Sequence, residues 1–315
     1  ITAVHDFDRV PCFTALQELD QAGELTLRVI KGLPVEQLQE AVSVGLKGGF
    51  GSFHLRIGTV KMFADGALGP QTAAMLMPYE GDDTNRGTLL LKAEEILEKG
   101  RLASRNGLPL AVHAIGDLAT QEVLEGFAML RAFEKEHDLP RLHHRIEHMQ
   151  LLSPQNLEKA ARLGIWASMQ PVHLYQDMTT ADRKWGSRAR YAYPFQSLLS
   201  QNTQLVFGSD APVECPNPFW GIHAAVNRMN RNAQNGQTPW YPEECISLDD
   251  AIKGYTINPA IQTGWQEDLG SLEAGKLADL LVLDQDPFSI PPCDVYSVKP
   301  GMVMVDGTWV YRADQ

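Results

Sequence analysis

The chain has 315 residues, 44% of them hydrophobic and 21% charged, a composition that supports one large or two modest hydrophobic cores. Its formal charge of −12 argues against a general nucleic-acid or anionic-membrane partner. No apolar run exceeds strand length, so neither a membrane span nor a signal peptide is expected.

In chain order, strand candidates over 1–7, 25–31, 56–64, 108–115, 143–149, 164–171 and 204–210 alternate with helical patterns over 11–22, 35–46, 91–106, 118–137, 154–163 and 194–201. Gly23 and Gly107 stop helices, and Ser153-Pro154 supplies an N-cap and a first-turn proline. Two more helical stretches follow near 218–231 and 247–263, the second capped by Ser247 with Asp250 three residues on. From 271 the pattern changes to short strands, with Asp306-Gly307 as a hairpin turn. Alternating βα units imply a parallel sheet buried on both faces. The predicted fold class is α/β: a TIM-type (β/α)8 barrel over 1–270, followed over 271–315 by part of a small β-sandwich. Seven strands are counted where a closed barrel has eight, so the barrel lacks its first βα unit. The chain starts inside a strand at Ile1, and a longer or processed protein is expected to supply that unit. The cysteines Cys12, Cys215, Cys245 and Cys293 form no CxxC pair and read as reduced thiols of a cytoplasmic protein.

Three strings, AVHAIGD, RIEHMQ and FGSDAP, each end a strand and place His113, His148 and Asp210 at the end of the barrel where βα loops build active sites. Two imidazoles and a carboxylate suit zinc and similar divalent ions; histidines bonded to backbone and a helix-capping aspartate are the alternatives. Strand alternation sets His113 with Ala111 and His148 with Ile146, away from Glu147. Lys61 lies within a core strand, where its charge must be lost, paired or carried outward on its stem. A neutral amine there could take up carbon dioxide as a carbamate. Asp65, Gln170 and His173 are candidate substrate contacts, and His5-Asp6 are candidates for the mouth. The loops 66–90 and 174–193 are expected to set specificity, with Arg183, Lys184, Arg188 and Arg190 in a solvated loop or a lid.

The stretches VKMFADGALG, AVHAIGD, RIEHMQLLSP, SMQPVHL, FGSDAPVE with NPFWGIHAAV, and GSLEAGKLADLLVLDQDPF resemble family 3 of the amidohydrolase superfamily, the group that includes N-substituted formamide deformylases. The resemblance implies a metal-dependent hydrolase whose ligands are a carboxylated Lys61, His113, His148 and Asp210. Asp210 would also act on the attacking water and the leaving nitrogen. It implies zinc, as one or two ions, with iron or manganese as alternatives. The expected substrate is a small amide-type molecule cleaved at a carbon–nitrogen bond other than a peptide bond, and a homodimer is the assembly to test. The pattern departs from the family in one respect: the first-strand His-x-His is absent, and the nearest feature is the adjacent pair His143-His144. A non-catalytic ligand-binding or regulatory barrel is therefore the competing expectation, as is hydrolysis of a lactone or phosphoester.

Overall fold

A computed structural model describes residues 1–233 and 237–313. Its main sheet contains β1 (Ala3–Asp6), β2 (Arg28–Pro34), β3 (Leu55–Phe63), β4 (Leu110–Ala114), β5 (Arg145–His148), β6 (Trp166–Met169) and β7 (Leu205–Phe207), paired in that order. All six pairings are parallel. The connections carry α1 (Val10–Ala22), α2 (Leu38–Ser43), α3 (Ala93–Arg105), α4 (Asp117–Glu136), α5 (Pro154–Leu163), α6 (Leu174–Trp185) and α7 (Phe195–Ser200). After β7 come α8 (Pro218–Asn227), α9 (Leu248–Tyr255) and α10 (Ile257–Thr263). The sheet curls far enough for Arg145 on β5 to reach His5 on β1. Among the described residues β1 and β7 do not pair, and the cylinder is open along that seam.

The register shows why the sequence builds a polar lumen. Lys61 lies beside Ala111 and Ala111 beside Arg145; Phe63 lies beside His113 and His113 beside Glu147. The alternate positions Val60, Met62, Val112, Ala114 and Ile146 are buried in the hydrophobic cluster shared with the helices. A period of two thus sends one row to the apolar layer and the other to the lumen.

All seven predicted strands and most helices are present, with ends shifted by a few residues. The stretch expected to be helical over 35–46 opens with a 3-10 turn at Val35–Gln37, and the 247–263 stretch breaks at Thr256 between α9 and α10. Ser247 caps α9 by accepting from Asp250 N at 3.0 Å. The segment 174–193, expected to be a loop, is instead helix α6 followed by a 3-10 turn over Gly186–Tyr191. Leu174, Ala181 and Trp185, one to two turns apart, are fully buried along its inner face, which is the helical spacing of apolar residues. The tail forms one antiparallel sheet, β8 (Leu280–Leu283), β9 (Pro300–Val305) and β10 (Thr308–Arg312), ordered β10-β9-β8. Its turn has Asp306 and Gly307 at φ 49 and 75, the left-handed pair of a two-residue hairpin. An ion pair between the buried Arg28 of β2 and Asp279 ties this tail to the main sheet.

Candidate functional site

Four of the expected residues meet at the C-terminal ends of the strands. The rings of His113 and His148 stand edge to face with centroids 4.5 Å apart. His148 Nε2 is 4.0 Å from Asp210 Oδ2. Lys61 is buried and points into the lumen, its Nζ 4.8 Å from the ring centres of both Phe7 and Phe63, which removes the outward-stem alternative. His173 stacks against His148 at 6.1 Å and faces Ser209 O.

His148 reaches this cluster by breaking the strand pattern. Alternation would turn it outward with Ile146, but its φ of +70° lies in the left-handed region that non-glycine residues adopt at a cost. That twist swings the imidazole inward, so His113 and His148 meet although Glu147 is the residue in register with His113. Asp210, three residues past β7, also has a left-handed φ, of 54, a conformation that aspartate adopts more readily than most residues.

Protonation states follow from burial. Desolvation lowers the pKa of His113 to about 4, against the opposing pull of Gly66 O, and lowers that of His148 well below its ordinary value, helped by His113, Lys61 and His173. Both imidazoles are therefore neutral at pH 7, the form that binds metal. Burial lowers Lys61, with Glu147 and Asp210 opposing and Arg145 assisting. Burial raises Asp210, while His173 and Lys61 pull it down.

The donor set fits a divalent ion in kind. His148 Nδ1 is buried with no hydrogen-bond partner, an arrangement that is costly without a ligand. His113 Nε2 faces Gly66 O at 2.8 Å, so its proton sits there and Nδ1 keeps the lone pair. Two donors on a tetrahedral zinc stand roughly 3.4 Å apart, and the His148–Asp210 separation of 4.0 Å lies within a small closure of that. Among the described residues, three donor atoms mutually within 4.8 Å occur at Asp6, Asp8 and Cys12, where the Lys31 ammonium already bonds Asp6 and the Asp8 carbonyl.

Several expected contacts are placed differently. Asp65 cannot touch a substrate: its side chain is fully buried and its oxygens accept from Ala74 N, Ile115 N and Gly116 N at 2.8–3.0 Å. Burial pushes its carboxyl up to about 7, against those three donors. Gln170 is buried beside His148, its amide near Ser168 O at 3.4 Å. His5 is engaged with Arg145, and Asp6, the last residue of β1, pairs with Lys31.

The basic cluster contains a clamp. Arg188 donates to Met77 O at 2.7 Å, Pro78 O at 2.6 Å and Trp185 O at 3.1 Å. The 66–90 segment is fixed from within by buried Leu68, Ala74, Met75 and Tyr79, and it forms a wall of the site. Arg188→Ala should cost about 2 kcal/mol, the scale of lost charge-assisted bonds, and raise amide exchange locally over 76–80; unchanged exchange there would refute the clamp.

Sequence reasoning missed Glu147 and Arg145, a buried lumen pair 2.6 Å apart. Alternation along RIEH, counted from Ile146 on the apolar face, would have placed both inside.

Burial also lowers the pKa of His5, His144 and His223, the last to about 4. Unfolding lets these three and the two site histidines take up protons near pH 6.5, so the unfolded state binds more protons between about pH 4 and 6.5, and stability falls as pH drops through that window. The raised Asp65, Asp117 and Asp210 act in the opposite sense but are fewer. Thermal melts should therefore show a lower Tm at pH 5 than at pH 7; an equal or higher Tm contradicts this balance.

A curled parallel βα sheet with two neutral imidazoles and a carboxylate at its C-terminal strand ends defines a barrel of the metal-dependent hydrolase class. The sequence matches the amidohydrolase family over residues 6–311, and the chain belongs to that family. The YtcJ amidohydrolase of Bacillus subtilis (strain 168) is 35% identical over 261 residues, 82% of this chain and 48% of its own length. The N-substituted formamide deformylase of Arthrobacter pascens is 28% identical over 263 residues, 83% of this chain and 47% of its own. The crystal structure of an uncharacterized metal-dependent hydrolase from Pyrococcus horikoshii OT3 superposes with a TM-score of 0.77 at 30% identity, covering 93% of this chain and 56% of that one. The chain thus spans about half the length of the curated relatives it matches. Among the described residues no helix is long and apolar enough to cross a membrane.

Proposed function

We propose that this protein is a hydrolase of a carbon–nitrogen bond, other than a peptide bond, in a small amide-type molecule. Lys61, His113, His148 and Asp210 would hold a divalent ion, zinc first among the candidates. The observation that carries this reading is the approach of His148 Nε2 to within 4.0 Å of Asp210 Oδ2, with the neutral His113 ring centred 4.5 Å from that of His148. The formamide deformylase among the relatives supports the choice of bond. Such an ion, when bound, lowers the pKa of a water and polarises a carbonyl.

The chain's own groups supply the rest. Asp210 is half-exposed at the mouth, can accept a proton from water, and can return it to the departing nitrogen. Burial lowers the pKa of the Lys61 amine; reaction of the neutral amine with carbon dioxide would give a carbamate and release a proton, adding an oxygen donor. Phe63, more than half exposed and 5.3 Å from the His113 ring, offers an apolar surface to a substituent on the substrate.

The test is metal analysis of the purified protein together with a hydrolysis screen of N-substituted formamides. Bound divalent metal with turnover that a chelator abolishes is expected. A protein that binds no metal and turns over no amide would favour the non-catalytic barrel.

A further inference from the structure

Asp65 lies two residues beyond β3, and its role is set by what surrounds it. Oδ2 accepts from Ala74 N at 2.9 Å and Gly116 N at 2.8 Å, and Oδ1 accepts from Ile115 N at 3.0 Å. One carboxylate thus ties the segment after β3, the wall segment and the turn from β4 into α4. The approach is close: a Cβ on Gly116 would lie 2.0 Å from Ala74 O, and one on Gly66 would lie 2.1 Å from Thr72 Oγ1. The neighbouring carbonyl, Gly66 O, is 2.8 Å from His113 Nε2, and Asp65 Oδ1 is 3.5 Å from the same nitrogen.

Gly66 O is a carbonyl oxygen, which can only accept, and it faces Nε2 at 2.8 Å, so that nitrogen carries the ring proton. We propose that Asp65 is a positioning residue: it holds the backbone that presents Gly66 O to His113, fixes the imidazole as the Nε2–H tautomer, and leaves Nδ1 as the ring atom free for a divalent ion. This rests on the reading of His113 as a metal ligand. A carboxylate is required because its two oxygens receive three N–H groups. An amide at this position would turn an NH2 towards at least one of them, and the loop geometry would relax.

Long-range 1H–15N spectra of the histidine side chains in the metal-free protein report the tautomer directly. The wild type should show His113 with its proton on Nε2. Asp65→Asn should show a mixture of tautomers, with Co2+ dissociation constants raised about 10-fold or more, the usual effect of losing a group that orients a ligand; Asp65→Glu should recover part of the loss. A wild-type His113 protonated on Nδ1 overturns the proposal without any variant, so a variant that does not fold leaves it testable. An Asp65→Asn protein with unchanged tautomer and unchanged Co2+ affinity also overturns it. A wild type that has the Nε2–H tautomer but binds no Co2+ would instead overturn the metal reading of the site.

Discussion

In the complete protein, with the hydrolase activity proposed above, Asp210→Asn is expected to abolish turnover while leaving the fold intact. The side chain stands at the mouth, 45% exposed, three residues past β7 and 4.0 Å from His148 Nε2. Asparagine has nearly the same shape and retains one carbonyl acceptor, so packing has no reason to change. It cannot take a proton. A lost general acid–base group costs typically 10²–10⁴ in rate, equivalent to about 3–5.5 kcal/mol of barrier. The kcat of the variant should therefore fall by at least a hundredfold, with Tm unchanged within a degree or two and metal partly retained through the imidazoles. Near-normal turnover would remove Asp210 from the mechanism.

The largest stability effect is expected at Glu134, remote from the chemistry. This carboxylate on α4 accepts from Ser104 Oγ at 2.7 Å, Arg131 Nη1 at 2.7 Å and His144 Nε2 at 2.8 Å. His144 in turn accepts from Leu110 N at 2.9 Å, at the start of β4. The network pins α3, α4 and the entry to β4 and β5 in one relation. Burial would raise the Glu134 carboxyl, but its three donors prevail and hold it at about 2. Because the folded pKa is depressed, its stabilisation is fully present above about pH 4.5 and is lost as pH falls towards 2. Glu134→Gln replaces one acceptor oxygen with an NH2, so either the buried His144 loses its partner or Arg131 is left with only Leu163 O and Leu142 O, at a cost of about 3 kcal/mol. Denaturant titration at pH 7 should show that loss, and the variant should lose less stability than wild type below pH 4.5. Equal stability at pH 7 would mean the network contributes nothing.

Much of this site could be read from residue order alone, for a physical reason. A parallel βα sheet imposes a period of two and opens its loops at one end, so AVHAIGD and FGSDAP place their polar residues with little freedom. His113 and Lys61 follow that rule. His148 does not: alternation sends it outward, and a left-handed φ at the strand end, invisible in the residue order, brings it back. Glu147 follows the rule too, lying in register with His113. Asp65 could not be read at all, since its partners are backbone N–H groups at positions 74, 115 and 116, and no side-chain pattern announces those. The segment 174–193 contained a helical spacing of apolar residues, but the charged run from Arg183 to Arg190 and the glycine at 186 suggested a loop.

The most direct test of the central claim is an anomalous-difference map from crystals of the protein grown with zinc and measured at the zinc absorption edge. A peak bonded to His113 Nδ1 and His148, within reach of Asp210 and Lys61, is the predicted result. A peak at Asp6, Asp8 and Cys12 with none between the two histidines, or no peak at all, would contradict it.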